Sequence, residues 1–118
     1  MFRKGLTALT ILVSAGVLAA SVRLRWDPNS ESDLAGYRMY VRVSPFTNDF
    51  AVFDIAAPST SFEWTNAVVG TEYEFSVTAY STAGLESDRS TGLRYKLTNS
   101  VSVLVFPSAY SVRSNQFK

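Results

Sequence analysis

The stretch Gly70 to Leu85, GTEYEFSVTAYSTAGL, constrains the fold of this chain more than any other. Tyr73, Phe75, Val77 and Ala79 alternate with Glu74, Ser76, Thr78 and Tyr80. That is the period-two pattern of a strand with one buried and one wetted face. Gly70 supplies a turn before it and Ala83-Gly84 lets the chain reverse after it, so the strand is bounded at both ends and belongs in the middle of a sheet. No stretch shows a comparably clear helical period, and the chain reads as all-β.

The alternation recurs upstream. In SVRLRW, Val22, Leu24 and Trp26 share one face and Arg23 and Arg25 the other. Asp27-Pro28-Asn29-Ser30 ends that strand, because Pro28 has no amide to donate and its polar neighbours favour turns. YRMYVRV places Tyr37, Met39, Val41 and Val43 opposite Arg38, Tyr40 and Arg42. Residues 50 to 56, FAVFDIA, form a further strand, in which Phe50, Val52 and Phe53 cannot all point inward under strict alternation. SFEWT supplies another with Phe62 and Trp64 inward, and Leu93, Tyr95 and Leu97 alternate with Arg94 and Lys96 in the next.

A Gly-Thr-x-Tyr entry into an alternating strand, followed by Ala-Tyr and a small Ala-Gly turn, resembles strand F of a fibronectin type III domain. Tyr73 then stands at the tyrosine corner, Trp26 is the core tryptophan of strand B, and Tyr37 follows the glycine that opens strand C. The resemblance spans residues 20–98. It implies an immunoglobulin-like antiparallel β-sandwich of about seven strands, with Trp26, Tyr37, Trp64, Tyr73 and Phe75 as its structural core. The chain departs from the family pattern before strand F, where Ala67 and Val69 stand in place of a leucine and a proline. It also offers no strand A, without which strand B has a bare edge.

A single domain is what 118 residues allow. With 47% hydrophobic and 14% aromatic residues the chain is not disordered. There is no cysteine, hence no disulfide or thiolate metal site, and no histidine, hence no usual general base. A Gly-rich phosphate loop is missing too, so we expect no enzyme and no cofactor. The net charge of +1 gives no footprint for nucleic acid, and Arg38 and Arg42 read as a solvated strand face. Asp27, Asn29, Glu31 and Asp33 fall at every second position, the spacing of oxygen ligands in a calcium loop. The central glycine and distal glutamate of an EF-hand are absent, and a solvated loop is the simpler reading.

The two ends extend the domain. Residues 1–19 run from Arg3 and Lys4 through an apolar stretch to small residues, the order of a secretory signal peptide with cleavage before Ala20. Retained, the same residues would instead be an additional N-terminal strand or a membrane anchor, although Thr7, Thr10, Ser14 and Gly16 dilute the apolar run. Cleavage implies an extracytoplasmic protein; a retained Met1 implies a subunit of a virion or other assembly. Residues 99–118 carry a β segment at 101–106, VSVLVF, with Val101, Val103 and Val105 on one face and Leu104 and Phe106 on the other. A strand with two apolar faces is either buried on both sides or shared with another molecule, so these five residues are the candidate partner-binding set. The alternative is an eighth strand filling the vacant A position.

Two functions fit. The first is a non-catalytic structural or adhesive protein–protein module, a small subunit of a surface, appendage or virion assembly that joins its neighbour by strand pairing. The second is a secreted carbohydrate-binding or enzyme-accessory module, for which Tyr40, Phe46, Tyr80 and Tyr110 are the exposed-aromatic candidates.

Overall fold

A computed structural model describes residues 19–98 and 101–107. Cleavage, anchoring or strand formation within residues 1–18, and the polar tail from Ser108 with its Tyr110, lie outside the described residues. Seven strands are present among the described residues: β1 Ala19–Arg25, β2 Leu34–Val43, β3 Ala51–Ala56, β4 Ser61–Val68, β5 Glu72–Ser81, β6 Leu93–Lys96 and β7 Val101–Val105. They form a three-stranded sheet of order β4-β1-β7 and a four-stranded sheet of order β3-β2-β5-β6.

The alternation sets the register. Met39 on β2 faces Phe53 on β3 and Val77 on β5, so the apolar sets of the three strands point the same way. Leu24 on β1 lies opposite Phe62 on β4 in the other sheet. Between the sheets Val22, Leu24, Trp26, Tyr37, Met39, Phe75, Val77, Ala79, Leu97 and Phe106 are buried. Tyr37 meets Trp26 edge to face at 5.4 Å, and Tyr73 meets Trp64 in the same way at 4.8 Å. Of the predicted core aromatics, Trp26, Tyr37, Tyr73 and Phe75 are buried and Trp64 is half-buried. Gly70 and Gly84 flank β5 with φ of 92° and 85°, a region L side chains enter at a cost, which explains glycine at both turns.

The tyrosine corner is closed. Val68 N–H donates to the Tyr73 hydroxyl at 3.0 Å, and Ala67 is buried beneath the corner where a larger residue was expected. Phe53 resolves the crowding of the Phe50–Ala56 stretch by stacking on Phe62 at 5.0 Å, and Val52 takes the exposed position.

The edge of β1 is not bare: residues 101–105 fill the vacant A position, one of the two readings the sequence left open for them. β7 lies alongside β1, so β1 is the centre of its sheet. Among the described residues this pair is the one parallel ladder, with Arg23 beside Val103 and Arg25 beside Val105. Leu97 is buried and ties β6 to the turn before β5, with Gly70 N–H donating to Leu97 O at 2.8 Å and Leu97 N–H to Thr71 O at 3.1 Å. Beyond it the chain has changed sheets, and it re-enters next to β1.

Candidate functional site

The two faces of β7 have separated. Phe106 is 1% exposed and Leu104 is packed against the core, so these two candidate partner contacts are interior residues. Their N–H and C=O groups serve the sandwich as well, since Phe106 N–H donates to Arg25 O at 2.9 Å. Val101, Val103 and Val105 point the other way and are 70%, 57% and 62% exposed. They make an aliphatic row on the outer face of the three-stranded sheet, beside Ser21, Arg23 and Arg25 of β1. Arg23 pairs with Glu63 at 3.3 Å, so the row is bordered by charge on its inner side.

The outer face of the four-stranded sheet is polar, and its charges are not solvated as the sequence suggested. β5 is covered on both sides: Glu74, Ser76 and Thr78 are buried as well as the core set. The segment after Gly84 runs alongside β5, with one antiparallel bridge between Tyr80 and Glu86 but no continuous strand. Ser87 and Ser90 each donate a backbone N–H to β5, at 2.8 Å to Ala79 O and 2.9 Å to Val77 O. Their hydroxyls accept the Ala79 and Val77 N–H groups, both at 3.0 Å. Side-chain oxygens thus stand in for the carbonyls of a missing ladder.

Two carboxylates organise this face. Glu74 sits between Arg42 and Arg94, its neighbours in register across three strands, at 2.7 Å and 2.9 Å. Burial works against its charge, yet the hydrogen bonds from Arg94 and Arg42 prevail and hold its pKa below the ordinary carboxylate value. Glu86 accepts from Thr78 at 2.7 Å, from Arg38 at 2.8 Å and from the Tyr40 hydroxyl. It too is depressed despite burial, while burial and the Glu86 hydrogen bond push the Tyr40 phenol up. Arg38 also reaches Asp54 at 3.0 Å. Alternation placed Glu74 on the outer face, but the two arginines and the close approach of Gly92 that bury it left no periodic mark.

Guanidinium groups also cover the aromatic rings here. Arg94 lies 4.2 Å from the Phe46 centroid, Arg42 4.9 Å from Phe50, Arg89 4.5 Å from Phe50 and 5.3 Å from Tyr40, and Arg38 4.2 Å from Tyr80. Beneath Arg89 is a hollow of about 630 Å³ lined by Tyr40, Arg42, Glu74, Ser76, Thr78 and Glu86 among others. A smaller apolar hollow of about 330 Å³ lies between Val41, Val43, Ala51, Trp64 and Tyr73.

Asp27, Asn29, Glu31 and Asp33 lie in and at the end of the loop between β1 and β2. Among the described residues no group of three or more acidic, histidine or cysteine side chains is placed to hold a metal. Instead Asn29 N–H donates to the Tyr37 hydroxyl at 2.8 Å, and its side-chain amide reaches Glu31 at 3.5 Å, so the loop is fastened to the core by its own bonds. No helix among the described residues is long and apolar enough to cross a membrane.

The fibronectin type III domain family model matches residues 9–96. A solved structure described as a myokine structure is similar with a TM-score of 0.56 and 19% identity, over 71% of this chain and 94% of that chain. At that identity the likeness concerns the fold. No curated protein sequence matches.

Proposed function

Because the chain belongs to the fibronectin type III family, whose members are generally non-catalytic, usually extracellular and commonly mediate protein–protein interaction, we propose that it is a structural interaction module, a small subunit of a larger surface, appendage or virion assembly. The observation that carries this reading is the outward row Val101, Val103 and Val105, three large aliphatic side chains left exposed on one strand. Scattered single apolar residues on a surface require no explanation; a contiguous row beside a charged border is the pattern of a contact patch.

The carbohydrate reading lacks comparable support. A sugar needs an open aromatic face, and Tyr40, Phe46 and Tyr80 each have a guanidinium over one.

Deleting residues 101–106 would not test the proposal, since it would also remove Phe106 from the core and strip β1 of its neighbour. The informative variant replaces Val101, Val103 and Val105 together by serine. The expected result, by light scattering on material from the native source, is a large complex for the natural chain and a free, folded chain for the variant. A natural chain that is already free and monomeric in its source overturns the reading.

A further inference from the structure

Arg89 differs from the other arginines on the polar face of the four-stranded sheet. Arg38, Arg42 and Arg94 are each ion-paired with a carboxylate. Arg89 lies over the rings of Phe50 and Tyr40, at 4.5 Å and 5.3 Å, and has no carboxylate partner among the described residues. The sequence holds no other acidic side chain to offer it, since all 10 of its Asp and Glu residues lie among the described ones. The backbone that carries Arg89 is fixed all the same. Ser87 and Ser90, on either side of it, are each fastened to β5 through both the backbone N–H and the hydroxyl.

A second unfilled group lies in the hollow beneath. Ser76 is 3% exposed, yet its hydroxyl has no hydrogen-bond partner among the described residues. The alternation of β5 turns it away from the core, and it lines the hollow of about 630 Å³ together with Arg89. Tyr40 is the register partner of Ser76 on β2 and carries Arg89 over its ring, so the guanidinium and the hydroxyl belong to the same part of the hollow. A sheltered hydroxyl costs stability until something bonds to it. Gly92 helps to keep the space open, because a Cβ there would come within 2.6 Å of the Glu74 carboxyl carbon.

We propose that this hollow binds one carboxylate, offered by an acidic side chain of a partner protein or by a small free acid, with Arg89 as its counter-charge and the Ser76 hydroxyl as a donor. The charges around the hollow set that class. Glu74 is compensated by Arg42 and Arg94, and Glu86 by Arg38. Arg89 is then one cation left over, while Asp88 also lines the hollow. A single negative charge suits such a site, whereas a phosphate dianion would meet three carboxylates with one spare guanidinium. The site is on the four-stranded sheet, apart from the valine row of the three-stranded one.

The test is a ¹H–¹⁵N NMR titration of the full-length chain at constant ionic strength, with sodium acetate, with the single-carboxylate probe N-acetyl-glutamate N-methylamide, and with its glutamine counterpart. The expected result is a saturable shift of the Ser76 and Arg89 amides with a carboxylate and none with the glutamine probe. Equal binding of acetate and the glutamate probe assigns the site to a small acid, and binding of the glutamate probe alone assigns it to an acidic side chain. Arg89→Gln should weaken binding about tenfold and Ser76→Ala about fivefold. Asp88→Asn should tighten it about twofold, by removing a like charge from the lining. Shifts that rise without saturation overturn the proposal, as does unchanged binding in a folded Arg89→Gln chain. Tighter binding of inorganic phosphate overturns the choice of a carboxylate, and weaker binding in Asp88→Asn overturns it in favour of a cation.

Discussion

Replacing Glu74 by glutamine removes the charge on which two arginines converge while keeping the size of the side chain. Glu74 is 9% exposed, and the two contacts differ in worth. The Arg42 bond, at 2.7 Å, joins two largely buried side chains, and a charge-assisted hydrogen bond of that kind contributes about 1.5 kcal/mol. Arg94 is half in solvent, where an ion pair is worth about 0.5 kcal/mol. Glu74→Gln should therefore cost about 2 kcal/mol at neutral pH, a fall of about 10 °C in Tm for a domain of this size. The loss has a pH signature. Folding lowers the Glu74 pKa, so its stabilisation is complete above the unfolded-state value of about 4.3 and disappears as the pH falls through the lower folded-state value. Urea unfolding of both chains at pH 7 and at pH 2.5 measures the difference. The gap should be full at pH 7 and nearly closed at pH 2.5, since the changes at Glu86 occur in both chains and cancel. A gap below about 0.5 kcal/mol at pH 7, or one that survives unchanged at low pH, would refute the reasoning.

Three further substitutions probe other links. Tyr73→Phe leaves the Val68 N–H without its acceptor and should cost about 1–3 kcal/mol in denaturant unfolding. Phe106→Ala empties a fully buried site directly after the strand that flanks β1, and the expected loss is about 3–5 kcal/mol by the same assay. Ser102 faces inward with a buried hydroxyl that has no hydrogen-bond partner among the described residues, so Ser102→Ala should stabilise the chain by about 1 kcal/mol and raise Tm.

The sandwich was legible because its strands obey a simple rule. Val22-Leu24-Trp26, Tyr37-Met39-Val41 and Tyr73-Phe75-Val77 each show the core face directly, and the structure buries all nine. Tyr73 is identified as a corner residue through the resemblance of its Gly-Thr-x-Tyr entry to strand F, and its hydroxyl accepts from Val68 N–H, five positions away. What escaped the sequence is what depends on distant segments. The vacant place beside β1 was open to VSVLVF, but nothing in the segment chooses that place over a partner or says that the pair will run parallel, and without that neighbour its two faces look alike. Arg38 and Arg42 looked solvated because Glu86 is 48 positions from Arg38, and Glu74 is 32 from Arg42. Glu74 is closed in by Arg42, Arg94 and the close approach of Gly92, while Ser87 and Ser90, residue types that mark loops in sequence, act as ladder acceptors for β5.

The unequal edges of the sandwich decide how far any growth by strand addition could go. A molecule polymerises into a fibre when two different sticky edges meet head to tail and the contact does not close on itself. Among the described residues three edge strands repel an incoming strand by charge and one, β7, carries no charge. A single receptive edge permits one joining event and then leaves nothing for a third molecule to extend, so association by that route terminates rather than propagates.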